Sequence, residues 1–336
     1  MILLPKKPQI ITHRPKLRGW YRLRVRREDG SVRLDTGWFP NLITNAGLDQ
    51  LGYYSTNITS YNIPYIAWAF FVCTGNTAPD YTDTVMTSLV SGAYSQYGFL
   101  GSGVVASSAT PPTITWSGTA SFPAGSATGT LAEVGNGYYI TLPSSNPGTD
   151  GTYQLFSHAL IVDGSGNPTT ITVLSNEQLD VSYQLQEVID TTIQTGSLTI
   201  GGTTYSLQWL PYVGVGFNAP MSVTWTGIGS ANSGNGAGIA VYTGPIGANI
   251  NTPPSGTGSR GGSVTMSYAT YTSGNYYADG TWSATIDDWN VTDGIGAMII
   301  RSSGIHSYQI GFTPSIPKTN FYSMTFTNRF AWARYP

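Results

Sequence analysis

The stretch that decides the fold is Gly19-Trp20-Tyr21-Arg22-Leu23-Arg24-Val25-Arg26-Arg27-Glu28-Asp29-Gly30-Ser31-Val32-Arg33-Leu34-Asp35-Thr36-Gly37-Trp38. Its first half alternates apolar and basic residues, which is the two-residue period of a strand with one buried face. Glu28-Asp29-Gly30 separates this run from a second one, and Asp-Gly between two such runs is a strong hairpin signal. We therefore expect residues 19–38 to form a β-hairpin whose arginines share one face.

Strands and turns continue through the rest of the chain. Short runs rich in Tyr, Trp, Val, Ile and Thr alternate with clusters of Gly, Ser, Asn and Pro. The predicted strands are 65–74, 113–122, 138–142, 154–163, 170–174, 179–185, 197–200, 203–210, 222–227, 238–242, 263–271, 281–286, 295–300, 307–312 and 322–332. Hairpin turns are predicted at 163–168 and 201–202. This spacing favours an all-β fold of antiparallel β-sandwich modules, jelly-roll or immunoglobulin-like, over βαβ units.

One short helix is expected near residues 44–52, directly after the hairpin. Thr44 or Asn45 can cap its first turn, and Gly52 can end it.

Composition excludes several other classes of protein. Only 10% of the 336 residues are charged, 40% are hydrophobic, and the net charge is −2, which excludes disorder driven by charge as well as a coiled coil. The longest apolar stretch, residues 66–73, is too short to cross a bilayer, and we expect no membrane insertion. The first seven residues lack the order of a secretory signal. A single cysteine excludes a disulfide scaffold.

The charge is concentrated at the N-terminus. Residues 1–33 hold ten cations and two acids, a formal charge of +8, whereas residues 34–259 hold eleven acids and no Lys or Arg. Such a segment can bind nucleic acid, touch an acidic membrane surface, dock an acidic protein, or form only a solvated strand face. We expect protein docking and no nucleic-acid partner, because no nucleic-acid-binding motif accompanies the cations. The predicted docking residues are Lys6, Lys7, Arg14, Lys16, Arg18, Arg22, Arg24 and Arg26.

Three units are predicted along the chain. Residues 1–40 form a basic anchoring segment, with 1–18 as a Pro-rich extended arm before the hairpin, and residues 41–190 form a β-sandwich domain. Residues 191–336 form a second β domain or a long insertion packed on the first, after a soft boundary at 190–196. The Gly/Ser/Asn-rich segment 229–259 is predicted to form long surface loops around one strand.

The residues offer little catalytic chemistry. The histidines, His13, His158 and His306, have no metal-type partner spacing, and Cys73 lies in an apolar strand. Asp287 and Asp288, near Asp293, point to opposite faces if they lie on a strand, which makes them a poor pair for glycoside hydrolysis; turn and capping roles fit them better. We therefore predict no enzyme activity, no cofactor and no metal site.

Aromatic residues leave one binding hypothesis open. Nine Trp and 22 Tyr can line a sugar-binding surface, although aromatics also fill the cores of β-sandwiches and coat surfaces that carry few charges.

Several segments, in order along nearly the whole chain, resemble those of tailed-bacteriophage virion structural proteins. Asn41-Leu42-Ile43-Thr44-Asn45-Ala46-Gly47-Leu48-Asp49 is one, and residues 72–79 with 82–84 are another, with Cys73 where that family has glycine. The other similar segments are 122–125, 131–135, 171–185, 312–319 and 326–334.

This resemblance implies a non-enzymatic virion component, often labelled tail fibre or tail-tip protein, located in the virion and assembled in the host cytoplasm. Other virion proteins are its implied partners, together with further copies of itself and a host surface receptor or glycan. It provides no catalytic residues to carry over. A head decoration or head-fibre protein is the alternative, followed by a protein that binds or depolymerises host polysaccharide.

Overall fold

The structure is a computed structural model, and it describes residues 11–56, 68–95, 100–102, 104–141, 144, 149–213, 220–221, 239–260, 265–285, 290–300, 307–319 and 323–336. Within these ranges it contains one helix, α1 (Asn45–Thr56), and 25 strands. The strands are β1 (Ile11–His13), β2 (Lys16–Arg26), β3 (Val32–Asp35), β4 (Phe39–Ile43), β5 (Trp68–Cys73), β6 (Leu89–Ser95), β7 (Leu100–Ser102), β8 (Val104–Ala106), β9 (Thr113–Phe122), β10 (Gly129–Leu131), β11 (Glu133–Thr141), β12 (Thr152–Leu160), β13 (Ile171–Val173), β14 (Gln178–Val188), β15 (Gln194–Ile200), β16 (Thr203–Tyr212), β17 (Pro220–Met221), β18 (Ile239–Tyr242), β19 (Gly258–Arg260), β20 (Thr265–Tyr268), β21 (Tyr277–Ala284), β22 (Ile295–Ile300), β23 (Ser307–Ile316), β24 (Met324–Ala331) and β25 (Ala333–Arg334).

These strands form three larger sheets and two small ones. The largest has eleven strands in the order β6-β5-β11-β12-β4-β2-β14-β9-β8, with β3 and β25 also paired to β2. A six-stranded sheet has the order β15-β16-β23-β22-β18-β19, and a four-stranded sheet the order β1-β24-β21-β20. The remaining pairs are β10-β13 and β17-β7. The expectation of a mostly β protein with antiparallel sheets is confirmed.

The two ends of the chain meet in parallel pairings. β1 runs parallel to β24, with Ile11 opposite Asn328, and β2 runs parallel to β25, with Lys16 opposite Ala333. Residues 11–13 and 16–17 of the predicted arm are therefore paired with C-terminal strands, whereas residues 1–10 lie outside the described ranges.

The hairpin at 19–38 forms as predicted. β2 and β3 pair antiparallel, with Arg24 opposite Asp35 and a bulge next to Arg26. Along β2, buried residues alternate with partly exposed ones, so Leu23 and Val25 enter the core and the arginines share the outer face. β2 is an interior strand of the largest sheet, since β14 pairs with its full length.

The hydrophobic core is shared between the sheets. One buried cluster contains Leu23 and Val181 from the largest sheet, Met298 and Ile310 from the six-stranded sheet, and Trp282 from the four-stranded sheet. Burial of these side chains removes apolar surface from water and provides the main favourable free energy of folding.

The helix begins where the sequence predicted but ends later. The Oγ1 of Thr44 accepts a hydrogen bond from the backbone N–H of Gly47 at 2.9 Å, which caps the first turn. Gly52 was expected to end the helix, and this expectation is wrong because α1 continues to Thr56. Gly52 instead makes room for a neighbour: a Cβ atom at this position would lie 2.2–2.4 Å from the ring of Tyr271.

Most predicted strands occur with shifted ends. The bounds of β9 and β22 match the prediction, and the turns at 163–168 and 201–202 connect antiparallel partners. Predicted strand 222–227 lies outside the described residues, as does 229–238 of the predicted loop segment. The described remainder of that segment, 239–259, holds β18 and a loop that leads to β19.

Candidate docking site

A row of five basic side chains follows the outer face of β2. It consists of Lys16, Arg18, Arg22, Arg24 and Arg26, and we call it the cationic row. Alternate residues of a strand project to the same side, so the sequence period places these side chains in line, with Trp20 between them. The strand that carries them is held by β14 on one side and by β3, β4 and β25 on the other, so its backbone position is fixed.

One carboxylate serves two of these arginines. Asp35 on β3 accepts hydrogen bonds from Arg22 Nε at 2.8 Å and Arg22 Nη2 at 2.5 Å, and its Oδ2 lies 3.2 Å from Arg24 Nε. The hydrogen bonds from Arg22, together with one from the backbone N–H of Gly37 and the charge of both arginines, lower the pKa of Asp35 to about 2. Asp35 therefore stays ionised at any physiological pH.

A second carboxylate pairs with the far end of the row. Arg26 Nε donates to Asp180 Oδ2 at 2.6 Å, and Ser121 and Gln178 donate to Asp180 Oδ1 at 2.7 Å. Burial acts to raise the pKa of Asp180, but the hydrogen bonds from Arg26, Ser121 and Gln178 outweigh it and leave the pKa lowered.

The cationic row keeps an excess of positive charge. Five cations face the two carboxylates of Asp35 and Asp180, which leaves a formal charge of +3. In the described part of the chain, neither Lys16 nor Arg18 has a carboxylate within ion-pair distance. The neighbouring outer face of β14 adds neutral Ser182, Gln184 and Gln186, so this side of the sheet attracts acidic surfaces.

A groove of about 440 Å³ adjoins the Arg18 end of the row. Its apolar wall includes Pro40, Leu42, Pro79, Leu160 and Val162, and its polar wall includes Arg18, Tyr81, His158, Arg334 and Tyr335. The Arg18 guanidinium lies 4.9 Å from the ring centres of both Trp20 and Tyr335, and that of Arg334 lies 4.2 Å from the ring of Tyr81. Cation–π contacts of this kind hold a guanidinium in place without neutralising it.

Arg334 reaches the groove from the C-terminal strand. Its guanidinium donates to the carbonyl oxygen of Ile43 at 2.5 Å and to Asn45 Oδ1 at 2.6 Å. Burial lowers the pKa of Arg334, and no carboxylate within the described ranges pairs with it. The groove therefore holds two guanidinium groups, those of Arg18 and Arg334, without an acidic partner.

A buried acid–histidine cluster supports one wall of this groove. His158 Nδ1 lies 2.8 Å from Asp83 Oδ2, and His158 Nε2 lies 3.6 Å from Oε2 of the fully buried Glu133. Glu133 Oε1 also accepts a hydrogen bond from the backbone N–H of Thr77 at 2.5 Å. These contacts attach the segment that carries Tyr81 to β11 and β12.

The structure brings together five of the eight predicted docking residues. Arg14 is exposed and lines a different cavity, and Lys6 and Lys7 lie outside the described residues. The sequence did not predict that Arg334 and Tyr335 join the site, because their approach depends on the parallel pairing of β2 with β25. The role of Asp35 was accessible from the hairpin register, which places it opposite Arg24.

Other chemical candidates are only partly described. Asp287, Asp288 and His306 lie outside the described residues, and Asp293 is exposed. Cys73 is fully buried, and burial, followed by the charge of Glu133, raises its thiol pKa to about 12. No group of three or more His, Cys, Asp or Glu side chains among the residues described is placed to bind a metal ion.

Comparison with protein-family models, with curated proteins and with solved structures gave no match for this chain. No described helix has the length and apolar character needed to span a membrane.

Proposed function

We propose that this chain is a non-enzymatic structural component of a tailed-bacteriophage virion, a tail-fibre or tail-tip protein that docks onto an acidic neighbouring protein. The observation that carries the docking role is the cationic row, with a formal charge of +3 on a strand paired along both edges. The adjoining groove extends this surface, since Arg18 and Arg334 offer two guanidinium groups beside an apolar wall.

The virion assignment is supported by the resemblance of several segments, and some of these segments contact one another. The backbone N–H of Asn45 donates to the carbonyl oxygen of Tyr81 at 2.7 Å, which joins the first segment to the residues between the two parts of the second. Thr77 donates to Glu133, and β10 pairs with β13, with Leu131 opposite Ile171. Residues that are far apart in the sequence but similar to one family therefore form a common framework behind the groove.

We further propose that the largest sheet and the six-stranded sheet pack face to face as a β-sandwich. The support is the shared core, in which Leu23 and Val181 belong to the same buried cluster as Met298 and Ile310.

The chemistry of the row fits association of preformed surfaces. Positive side chains at the edge of an interface accelerate encounter with an acidic partner and fix its orientation, while apolar contacts supply much of the affinity. Docking should therefore weaken as ionic strength rises, because exposed charges are screened over about 8–10 Å at physiological salt.

Charge reversal tests this proposal while it keeps every strand in the chain, although Arg18→Glu also removes a hydrogen bond to Gln186. Deleting residues 1–18 would also remove β1 and part of β2, so Lys16→Glu and Arg18→Glu are better variants. Neither side chain has an acidic partner to leave unpaired within the described ranges. We expect phage that carry the double variant to lose most of this protein from purified particles, measured by quantitative mass spectrometry.

Arg27→Glu is the control for each single reversal, Lys16→Glu or Arg18→Glu. Arg27 is an exposed cation in the hairpin turn, outside the cationic row, where its guanidinium hydrogen-bonds Ser31. It should enter particles at the wild-type level. Normal incorporation of the Lys16→Glu/Arg18→Glu variant would refute docking through the cationic row. Labelling this protein on intact particles and locating the label by electron microscopy distinguishes a tail position from a head position.

A further inference from the structure

A second cavity, of about 390 Å³, lies between the N-terminal strand and the six-stranded sheet. Its volume falls within the roughly 300–1,000 Å³ of small-molecule sites. It is lined by Thr12, His13, Arg14, Asp190, Thr192, Gln194, Trp209, Pro211 and Tyr308. None of these residues belongs to the cationic row, although Arg14 is one of the docking residues predicted from the sequence.

Aromatic rings line this cavity. Tyr308 is 4% exposed and packs against the ring of His13, with ring centres 3.4 Å apart and ring planes tilted by 33°. Trp209 on β16 is only partly buried, and its indole covers Gly196 of the neighbouring strand. A Cβ atom at position 196 would lie 3.1 Å from that indole, so glycine leaves room for the ring over the neighbouring strand.

Hydrogen-bonding groups line the cavity as well. Asp190, Thr192 and Gln194 follow one another on the segment between β14 and β15. The backbone N–H of Thr192 donates to Asp190 Oδ1 at 2.9 Å, which leaves the other carboxylate oxygen available as an acceptor. Gln194, exposed at the rim, can both donate and accept.

The formal charges of Arg14 and Asp190 cancel in the cavity wall, so its described lining carries no net charge that favours an anionic ligand. Asp190 disfavours a phosphate or carboxylate nearby. A nucleotide could stack on the indole, but Asp190 would repel its phosphates while Arg14 attracted them. A ligand with one apolar face and several neutral hydroxyl groups matches both the rings and the polar side chains.

From this arrangement we infer that the cavity binds a neutral pyranose sugar. The C–H face of the sugar stacks on Trp209, and its hydroxyl groups hydrogen-bond Asp190 and Gln194. The cavity shares no residue with the cationic row, so the Lys16→Glu/Arg18→Glu variant should bind sugar as the wild type does.

Saturation-transfer NMR on the full chain tests the inference, with D-glucose, D-galactose and N-acetyl-D-glucosamine at millimolar concentration. We expect transfer to at least one sugar, and about tenfold weaker binding after Trp209→Ala because an aromatic stacking surface is lost. Gln194→Ala, at an exposed position, provides a second weakened variant that does not alter the core. Trp38→Ala removes an indole that is 41% exposed elsewhere and should leave binding unchanged.

Three results would overturn the inference. They are no transfer to any of the three sugars, binding that survives both Trp209→Ala and Gln194→Ala, and Trp209-dependent binding of adenosine monophosphate in place of sugar.

Discussion

Replacing Gly47 by alanine should destabilise the protein even though alanine is the better helix former. Gly47 lies in the first turn of α1, where the helix contacts β12. An added Cβ atom would lie 2.2 Å from the carbonyl oxygen of Phe156 and 2.8 Å from its Cα. Since these are backbone atoms of an interior strand, no side-chain rotation can relieve the overlap.

The loss of folding free energy in Gly47→Ala is the difference between two opposing effects. Real Cβ contacts essentially never fall below 3.0 Å, so the helix must move away from β12 by about 0.8 Å. Overpacking of this kind costs about 1–3 kcal/mol, and the helix propensity of alanine returns up to about 1 kcal/mol. The N-terminal cap also limits the movement, because Thr44 hydrogen-bonds both Gly47 and the carbonyl of Leu155. We expect a net loss of about 1–2 kcal/mol.

Urea unfolding followed by circular dichroism measures this loss as a lower midpoint at constant slope. Gly164→Ala is the matched control, because a Cβ atom at that turn position meets nothing within 4 Å. Gly52→Ala should destabilise the protein as well, because the Tyr271 ring that a Cβ atom would meet is buried and held by Asp49 and Trp332. A Gly47→Ala protein that unfolds at the same urea concentration as Gly164→Ala would refute the close approach of α1 to β12.

Three further predictions concern ionisable and buried groups. Cys73 should not react with a thiol reagent at pH 8 until the protein unfolds, because it is buried and its pKa is raised to about 12; rapid labelling of the native protein would contradict this. Asp35→Asn should lower the melting temperature slightly, by the equivalent of at most about 1 kcal/mol for an exposed ion pair. Since the folded pKa of Asp35 is about 2, its contribution is present above pH ~4 and lost as the pH falls through about 2, so the difference between the two proteins should vanish there. Asp49→Asn should lower the free energy of unfolding by about 1–3 kcal/mol, because Asp49 accepts hydrogen bonds from Tyr271, Ser273 and the N–H of Gly274. Exposed Asp29→Asn is the control. An unchanged melting temperature for Asp49→Asn would contradict this prediction.

The sequence correctly predicted those elements whose formation depends on residues close together in the chain. The alternation along β2, the Asp-Gly turn and the Thr44 cap each depend on residues within a few positions of one another, and the structure confirms all three. The end of α1 was missed because Gly52 is present for a contact with Tyr271, more than 200 residues away. A glycine needed for close packing cannot be distinguished from a helix terminator by sequence position alone.

In the candidate docking site too, features that depend on neighbouring residues could be predicted, and features that depend on distant strands could not. The face shared by the arginines followed from strand spacing. Asp35 was not predicted, although the hairpin register places it opposite Arg24. Asp180, Arg334 and the wall attached through Glu133 and His158 depend on pairings between distant strands, to which no local pattern points. The cavity at Trp209 is equally non-local, since it requires the N-terminal strand to lie beside the six-stranded sheet.

The most direct test of the docking role is the position of this chain in a reconstructed virion. We predict that it lies in the tail, with the outer face of β2 covered by an acidic surface of a neighbouring protein and with Arg18 and Arg334 near carboxylates of that neighbour. A reconstruction in which the cationic row faces solvent, or in which the particle lacks this chain, would contradict the account.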